Sequence, residues 1–176
     1  MVQGEIDIIE FVNQGPNNLM SLHTTEDCTI AGVDQTGSLL SNDCAVSSVI
    51  SYNAASAHCL QEGGGITGCT VSAIAEHNIA SVFNANGGGV YAMEWTSQAI
   101  QVWIFPRDAI PTSITAGEPD PITFGLPVAN FAGSCDIDTH FYNHSLLFNI
   151  DFCGQWAGNT FASGSCPQLS PENVRV

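Results

Sequence analysis

The run Gly-Glu-Ile-Asp-Ile-Ile-Glu, which ends at Glu10, constrains the fold of this chain more than any other segment. Acids and isoleucines alternate at its start, which is typical of a β-strand that turns isoleucines toward a core and Glu5 and Asp7 toward the other face. Glu10 is out of phase with this alternation. A β-bulge at Ile8 and Ile9 would add one residue to the strand and return Glu10 to the face of the other acids. The sequence therefore predicts a bulged strand with three carboxylates on one face.

Two of these acids suit a specific reaction. Retaining glycoside hydrolysis uses two carboxyl groups about 5–5.5 Å apart, one as nucleophile and one as general acid and base. A strand rise of roughly 3.3 Å per residue keeps the Cα atoms of Glu5 and Glu10 far apart, so their side chains must lean toward each other. The alternative is an ordinary half-exposed strand, because acids alternating with isoleucine are also expected in any very acidic protein.

Five further blocks follow the acidic strand in order. They are Leu-His-Thr at 22–24, Gly-Gly-Gly-Val-Tyr-Ala-Met-Glu-Trp at 87–95, Val-Trp-Ile-Phe-Pro-Arg at 102–107, Cys-Asp-Ile-Asp-Thr-His-Phe at 135–141 and Phe-Cys-Gly-Gln-Trp-Ala-Gly at 152–158. Because these blocks span nearly the whole chain, it resembles glycoside hydrolase family 16, in particular the fungal laminarinase-like endo-β-1,3(4)-glucanases.

The resemblance implies an all-β fold, a concanavalin-like jelly-roll β-sandwich. A sandwich of this kind takes about 200–250 residues, whereas the acidic strand begins here at Glu5. We therefore expect residues 1–176 to form a single partial catalytic domain, an incomplete half that lacks N-terminal strands and the closing C-terminal strand.

The resemblance also implies a reaction. It predicts retaining endo-hydrolysis of β-1,3 glucan and of mixed β-1,3/1,4 glucan through a covalent glycosyl-enzyme intermediate, with no cofactor and no metal ligands assigned. A cell-wall glucan transglycosylase would use the same acids but pass the sugar to another glycan. A non-catalytic carbohydrate-binding protein on the same scaffold is the other alternative, which the intact acids disfavour.

By similarity, Glu5 is the nucleophile, Asp7 tunes its neighbours electrostatically, and Glu10 is the general acid that protonates the leaving oxygen and later activates water. Three clustered acids disfavour full ionisation, so at least one pKa should rise. His23 is placed in the cleft by the resemblance, although a lone histidine can equally be a structural hydrogen-bonding residue.

Aromatic residues divide into two groups. Trp156 resembles a sugar-stacking residue, since aromatic faces suit the apolar C–H surface of glucose. Beside it, Gln155 occupies a position at which the family usually carries aspartate, a difference that alters the local polarity. The resemblance implies that both Trp156 and Gln155 contact substrate. Trp95 and Trp103 lie on a predicted hairpin and are expected in the core.

Charge limits the partners. The chain has 17 acidic residues but only two arginines and no lysine, which gives a formal net charge of −15. Such a surface repels phosphate backbones and anionic lipid headgroups, so no nucleic acid and no membrane are predicted as partners. A neutral β-glucan experiences no such repulsion, and we expect a monomer.

Seven cysteines occur without a Cys-x-x-Cys motif, which favours disulfides over a zinc site and is typical of an extracellular protein. The sequon at residues 143–145 agrees weakly with this location. The comparison with the family leaves Cys166 without a partner, and the other six cysteines allow fifteen pairings. Among the possible bridges, we expect a disulfide between Cys135 and Cys153, because they lie on segments predicted to form neighbouring strands.

Outside the acidic run, apolar and β-branched residues predict further strands at 19–25, 90–95, 99–105 and 146–152, the second and third forming a hairpin. Residues 106–127 contain five of the eight prolines and are expected to form a surface connection. The segment 47–59 is the one place where a helix can be argued.

Overall fold

Antiparallel strands form most of the regular secondary structure in the described residues, as the sequence predicts. The structure is a computed structural model that describes residues 3–13, 15–46, 68–74, 79–150 and 155–161. Its strands are β1 (Glu5–Glu10), β2 (Leu19–His23), β3 (Thr29–Ile30), β4 (Ser38–Ser41), β5 (Cys69–Ser72), β6 (Gly89–Trp95), β7 (Ile100–Pro106), β8 (Ala129–Phe131) and β9 (Gly133–Ser134). Its helices are α1 (Ala80–Ala85), α2 (Thr112–Thr115), α3 (Ile137–His140) and α4 (Gln155–Phe161).

The acidic strand lies at one edge of a four-stranded antiparallel sheet with the order β1-β2-β5-β4. Along β2, Met20 and Leu22 are fully buried, whereas the residues between and beside them point to the opposite face. Ile6 and Ile8 of β1 pack against the same core. The predicted orientation of these two isoleucines is therefore confirmed.

The predicted hairpin is also present. β6 and β7 pair from Gly89 opposite Pro106 to Trp95 opposite Ile100, and β8 extends them to a three-stranded sheet. Trp103 is buried as expected, and its indole nitrogen donates to the carbonyl of Gly125 at 3.0 Å. The expectation of a buried Trp95 is wrong, because this side chain at the end of β6 is 37% exposed.

Two disulfides cross-link segments of the β-structure in the described residues. Cys28 is bonded to Cys135, which joins the ends of the two-stranded sheet formed by β3 and β9, and Cys44 is bonded to Cys69. The predicted bridge between Cys135 and Cys153 is therefore wrong. Cys28 follows β2 and meets Cys135 because β3 pairs with β9, a long-range contact that residue spacing does not reveal. Cys153 and Cys166 lie outside the described residues.

Two further predictions concern connecting segments. The expected surface connection at 106–127 is confirmed, since it contains only α2 and two 3₁₀ turns, and most of it is exposed. The strand expected at 146–152 is wrong for its described part, because residues 146–150 have no strand pairing and expose Leu146, Leu147, Phe148 and Ile150. The helix considered at 47–59 lies outside the described residues. None of the described helices is both long enough and apolar enough to cross a membrane.

Candidate active site

The acidic strand contains the bulge that the sequence predicts. Asp7 pairs with Ser21 and Glu10 pairs with Leu19, so β1 advances by three residues while β2 advances by two. One extra residue is therefore accommodated between Asp7 and Glu10. At the start of the strand Glu5 pairs with His23, in regular register.

This register places all three acids on one face of the sheet. Their partners Leu19, Ser21 and His23 alternate with the core residues of β2, so they share the face that looks away from the core. Paired residues of neighbouring strands project to the same side of a sheet. Without the extra residue, Glu10 would project into the core face beside the isoleucines.

His23 contacts the acids from β2. Its Nε2 atom lies 3.2 Å from Asp7 Oδ2, an ion pair when the imidazole is protonated. The alignment falls short of a hydrogen bond, since Asp7 Oδ2 has no hydrogen-bond partner of good geometry among the described residues. Ligand atoms of Asp7, Glu10 and His23 lie within 4.8 Å of one another, a spacing at which a cation could bind. The same spacing is expected of a coupled acid cluster, so it does not by itself indicate a metal.

The electrostatics of the cluster favour protons. Burial, followed by repulsion from Asp7, raises the pKa of both Glu5 and Glu10 above the ordinary value of 4.5. Burial of His23 opposes its protonation, but the contact and charge of Asp7, together with the two glutamates, outweigh it and raise the pKa of His23 above 6.5. The site therefore holds carboxylic protons at higher pH than isolated glutamates do.

Different groups compensate the charge of the two glutamates. The positive forms of His23 and His144 lower the pKa of Glu5, whereas at Glu10 a side-chain hydrogen bond from Ser21 accompanies the effect of His23. His144 is held by its Nε2 donating to the carbonyl of Gln3 at 2.6 Å and by ring contact with Trp95 at 5.0 Å between centroids. Exposed Trp95 thus lies near the beginning of the acidic strand.

The floor of the site is lined by small hydroxyl residues. Ser21 on β2 and Thr70 on β5 pair across the strands, and their side-chain oxygens are 3.0 Å apart. Both residues are buried. Because Ser21 also bonds Glu10, the hydroxyl pair links the acid to the centre of the sheet.

A buried side-chain amide next to β2 supports the acidic strand. Asn18 is fully buried and immediately precedes β2. Its Oδ1 accepts from the backbone N–H of Glu10, and its Nδ2 donates to the carbonyl of Ile8, both at 2.9 Å. These contacts bracket the bulge.

The predicted sugar-stacking residue lies on α4. Trp156 is 41% exposed, and its helix is connected to the end of the acidic strand by Asn13, whose Nδ2 donates to Thr160 Oγ1 at 2.9 Å and to the carbonyl of Ala157 at 3.3 Å. Gln155 begins the same helix, but its side chain lies outside the described part of the structure. The contact of Trp156 and Gln155 with substrate stays a prediction.

Sequence reasoning missed several of these residues. Ser21 could have been found, because it shares the parity of His23 along β2 once that strand is assigned. Asn18, Asn13 and His144 had no such signal, since isolated polar residues in turns are usual surface features. Their contacts depend on how distant segments meet.

The chain is similar to several known proteins. A family model described as "XgeA-like, catalytic GH16 domain" matches residues 2–175. A relative from Aspergillus clavatus, named "Probable endo-1,3(4)-beta-glucanase", is 43% identical over 165 residues, which are 93% of this chain and 23% of the relative. Among solved structures, an elongating GH family 16 β-1,3-glucosyltransferase is 44% identical with a TM-score of 0.78, covering 95% of this chain and 51% of that one.

Another solved structure is laminarinase 16A from Phanerochaete chrysosporium, with 6-O-glucosyl-laminaritriose in both donor and acceptor sites. It is 38% identical with a TM-score of 0.81, covering 95% of this chain and 54% of that one. These likenesses confirm the jelly-roll β-sandwich. The chain spans about half of each solved structure and about a quarter of the Aspergillus relative, and the division into a single partial domain stays a prediction. By the match of a family model over almost its entire length, the chain belongs to glycoside hydrolase family 16.

Proposed function

We propose that this protein is an endo-β-1,3(4)-glucanase that hydrolyses β-1,3 glucan and mixed β-1,3/1,4 glucan with retention, through a covalent glycosyl-enzyme intermediate. The observation that carries the proposal is the bulge between Asp7 and Glu10, which turns the last acid to the face of the other two. A regular strand would separate Glu5 and Glu10 by the sheet itself, and no double displacement at one sugar could follow.

Glu5 is the proposed nucleophile and Glu10 the proposed acid and base. Two histidines favour the ionised form of Glu5, whereas at Glu10, which is more buried, one histidine and the hydrogen bond from Ser21 do so. Loss of the first proton from such a coupled pair makes loss of the second harder. The cluster therefore favours one carboxylate beside one carboxylic acid, which is the state that the first displacement requires.

The two displacements follow from these roles. In the first, a Glu5 oxygen bonds to the anomeric carbon while the glycosidic C–O bond breaks and the Glu10 proton passes to the departing oxygen. In the second, Glu10 takes a proton from water, whose oxygen displaces Glu5. The negative charge of Asp7, which is paired with His23, raises the pKa of both glutamates and so favours their protonated forms.

The geometry sets a condition for this chemistry. Glu5 and Glu10 pair with β2 residues four positions apart, so at about 3.3 Å per residue their backbones are about 13 Å apart. Both side chains must converge over Asp7 to reach the separation of about 5–5.5 Å. Their shared electrostatic coupling to Asp7 and His23 is consistent with this convergence.

Neutral β-glucan is the proposed substrate. The similar laminarinase holds a β-glucan in its donor and acceptor sites. The net charge of −15 does not repel an uncharged polysaccharide. Trp156 is the proposed stacking surface, with Gln155 and His23 contacting hydroxyl groups.

Transglycosylation is the second candidate, and one observation favours it. The 44% identical structure is described as an elongating β-1,3-glucosyltransferase, an activity in which a glycan takes the place of water as the acceptor. We further propose that the protein is extracellular, which the disulfides Cys28–Cys135 and Cys44–Cys69 support, and that it is a monomer. Finding it in culture medium, with the mass of one chain by light scattering, would test both statements.

Covalent trapping tests the main proposal. A 2-fluoro β-glucoside extended by β-1,3-linked glucose should accumulate as an adduct on Glu5, detected by peptide mass spectrometry. Glu5→Gln should abolish both the adduct and reducing-sugar release from laminarin, whereas Glu118→Gln, an exposed control on the surface connection, should leave them unchanged. An adduct on another residue would contradict the assignment. Products longer than the supplied oligoglucan would identify the transglycosylase.

A further inference from the structure

One buried side chain joins the two ends of the bulge. Asn18 accepts a hydrogen bond from the Glu10 N–H through Oδ1 and donates one to the Ile8 carbonyl through Nδ2, both at 2.9 Å. Its own carbonyl accepts from the N–H of Ala73 at 2.9 Å, just past β5. Asn18 is therefore fixed to the centre of the sheet and reaches out to its edge strand.

The bulge creates the need for this amide. Pairing between β1 and β2 passes from Asp7 directly to Glu10, which skips the two isoleucines between them. An extra residue disrupts the ladder, and backbone groups left without a partner in a buried place destabilise the fold. One neutral amide supplies both an acceptor and a donor, so it satisfies an N–H and a carbonyl at once.

The same contacts fix the direction of Glu10. A hydrogen bond to the N–H of Glu10 restrains the peptide plane from which its side chain projects. If the bulge moved by one residue, the side chain would turn toward the opposite face of the sheet. The partners in these two hydrogen bonds are uncharged backbone groups, so through them Asn18 acts on Glu10 by geometry.

We propose that Asn18 is a positioning residue, which holds the bulge and thereby aims the carboxyl group of Glu10 at the leaving oxygen of the substrate. This inference rests on the proposed function of Glu10 and extends it to a residue that contacts no sugar. It makes a selective prediction. Loss of Asn18 should impair protonation of the leaving group and spare attack by Glu5.

The chain offers a matched control. Asn130 on β8 is also buried, accepts from Gln101 Nε2 at 3.1 Å and donates to the carbonyl of Val33 at 3.1 Å. Its side-chain amide bridges two segments, as that of Asn18 does, but it belongs to the three-stranded sheet β6-β7-β8. Asn18→Ala and Asn130→Ala therefore each remove one accepted and one donated side-chain hydrogen bond at a buried position, and only the first touches the bulge.

Two substrates separate the roles, measured on the protein as its organism produces it. Laminarin has a sugar hydroxyl as leaving group, which departs only if the acid donates a proton. A dinitrophenyl β-oligoglucoside loses a stable phenolate, which departs without that proton, while the Glu5 oxygen forms the same bond to the anomeric carbon. A misplaced acid should therefore affect laminarin alone.

We expect Asn18→Ala to lower kcat/KM for laminarin about 10²-fold, the size of effect expected from a misplacement of about 1 Å. With the dinitrophenyl substrate the decrease should be less than about 10-fold, because general acid catalysis, which contributes about 10²–10⁴-fold, is not needed there. Asn130→Ala should change both substrates by the same small factor, although it lowers the melting temperature comparably.

Several outcomes would overturn the inference. Equal losses on both substrates, or no loss on laminarin, would show that Asn18 only supports the fold. If Asn18→Ala does not fold, Asn18→Ser, which keeps one hydrogen-bonding oxygen, must show the same substrate dependence. Glu10→Gln distinguishes the two proposals. If Glu10→Gln does not lose more activity on laminarin than on the dinitrophenyl substrate, the assignment of Glu10 as the acid fails. If Glu10→Gln shows this difference and both Asn18 variants do not, only the positioning role of Asn18 fails.

Discussion

The two disulfides in the described part of the chain should stabilise the fold to different extents, because they close loops of different length. The bridge between Cys28 and Cys135 spans 107 residues, and the bridge between Cys44 and Cys69 spans 25 and lies inside the larger loop. In the chain-entropy description, closing a loop of n residues lowers the entropy of the unfolded chain in proportion to ln n. The outer bridge should contribute about 4.8 kcal/mol and the inner bridge about 3.5 kcal/mol at 25 °C.

Reduction of single-bridge variants measures these contributions without changing the core volume. One variant keeps the outer pair, with Cys44→Ala and Cys69→Ala; the other keeps the inner pair, with Cys28→Ala and Cys135→Ala. The remaining cysteines are replaced by serine in both. Urea denaturation of each variant, oxidised and reduced, then gives the contribution of one bridge as a difference between two free energies of unfolding.

The expected difference between the two bridges is about 1.3 kcal/mol in favour of the outer one. Reduction removes no heavy atom from the core, so it leaves no cavity, and the wider spacing that two thiols need affects both variants alike. An inner bridge that contributes as much as the outer one would refute the reasoning. Such a result would mean that residual structure in the unfolded chain already brings Cys28 near Cys135.

Three further predictions concern the active site. Glu10→Gln should stabilise the fold at neutral pH but not below pH 4.5. Because folding raises the pKa of Glu10, ionisation of this carboxyl group destabilises the folded protein as the pH rises above 4.5, and glutamine does not ionise. Melting temperatures measured across this pH range would show the difference, and a variant that gains no stability at neutral pH would contradict the prediction. Gly68→Ala, at a backbone φ of +85°, adds a Cβ that collides with the backbone carbonyl of Leu22 and with the ring of His23, so it should lower kcat and cost more than the roughly 1–2 kcal/mol of a left-handed residue. Gly117→Ala, at +78° with nothing near, should cost only that, and equal losses in the two variants would show that β2 shifts to make room for the new Cβ. Asn13→Gly removes the side-chain amide that bonds α4, and glycine tolerates the positive φ at this position. Because α4 carries Trp156, the proposed stacking residue, KM for laminarin should rise while kcat changes little. An unchanged KM would indicate that other contacts hold α4.

Local patterns in the sequence predicted a large part of the site. Alternation assigned the faces of β1, and the phase of Glu10 required a bulge, both of which the structure bears out. The hairpin of β6 and β7 was equally readable, because two β-rich runs flank a short loop. In each case the information lies in neighbouring residues, whose side chains must alternate between two faces of a sheet.

Burial of individual aromatic residues was less predictable. Trp95 and Trp103 have the same hairpin context, yet one is exposed and the other buried. Trp103 lies on the central strand of its sheet, covered by the segment around Phe124, and Trp95 lies at the end of β6 next to His144. The difference is made by which distant segment crosses each strand, and periodicity carries no record of that.

The sequence by itself determined the acidic strand, its bulge and the β-character of the chain, because each of these follows from interactions between residues close together along the backbone. Only the tertiary structure decided that Cys28 joins Cys135, that Ser21 and His23 contact the acids, and that Asn18 holds the bulge. These contacts join segments whose meeting depends on the path of the whole chain. The physical reason is that a strand fixes which way its side chains point, whereas the partners they meet are fixed by the packing of sheets in space.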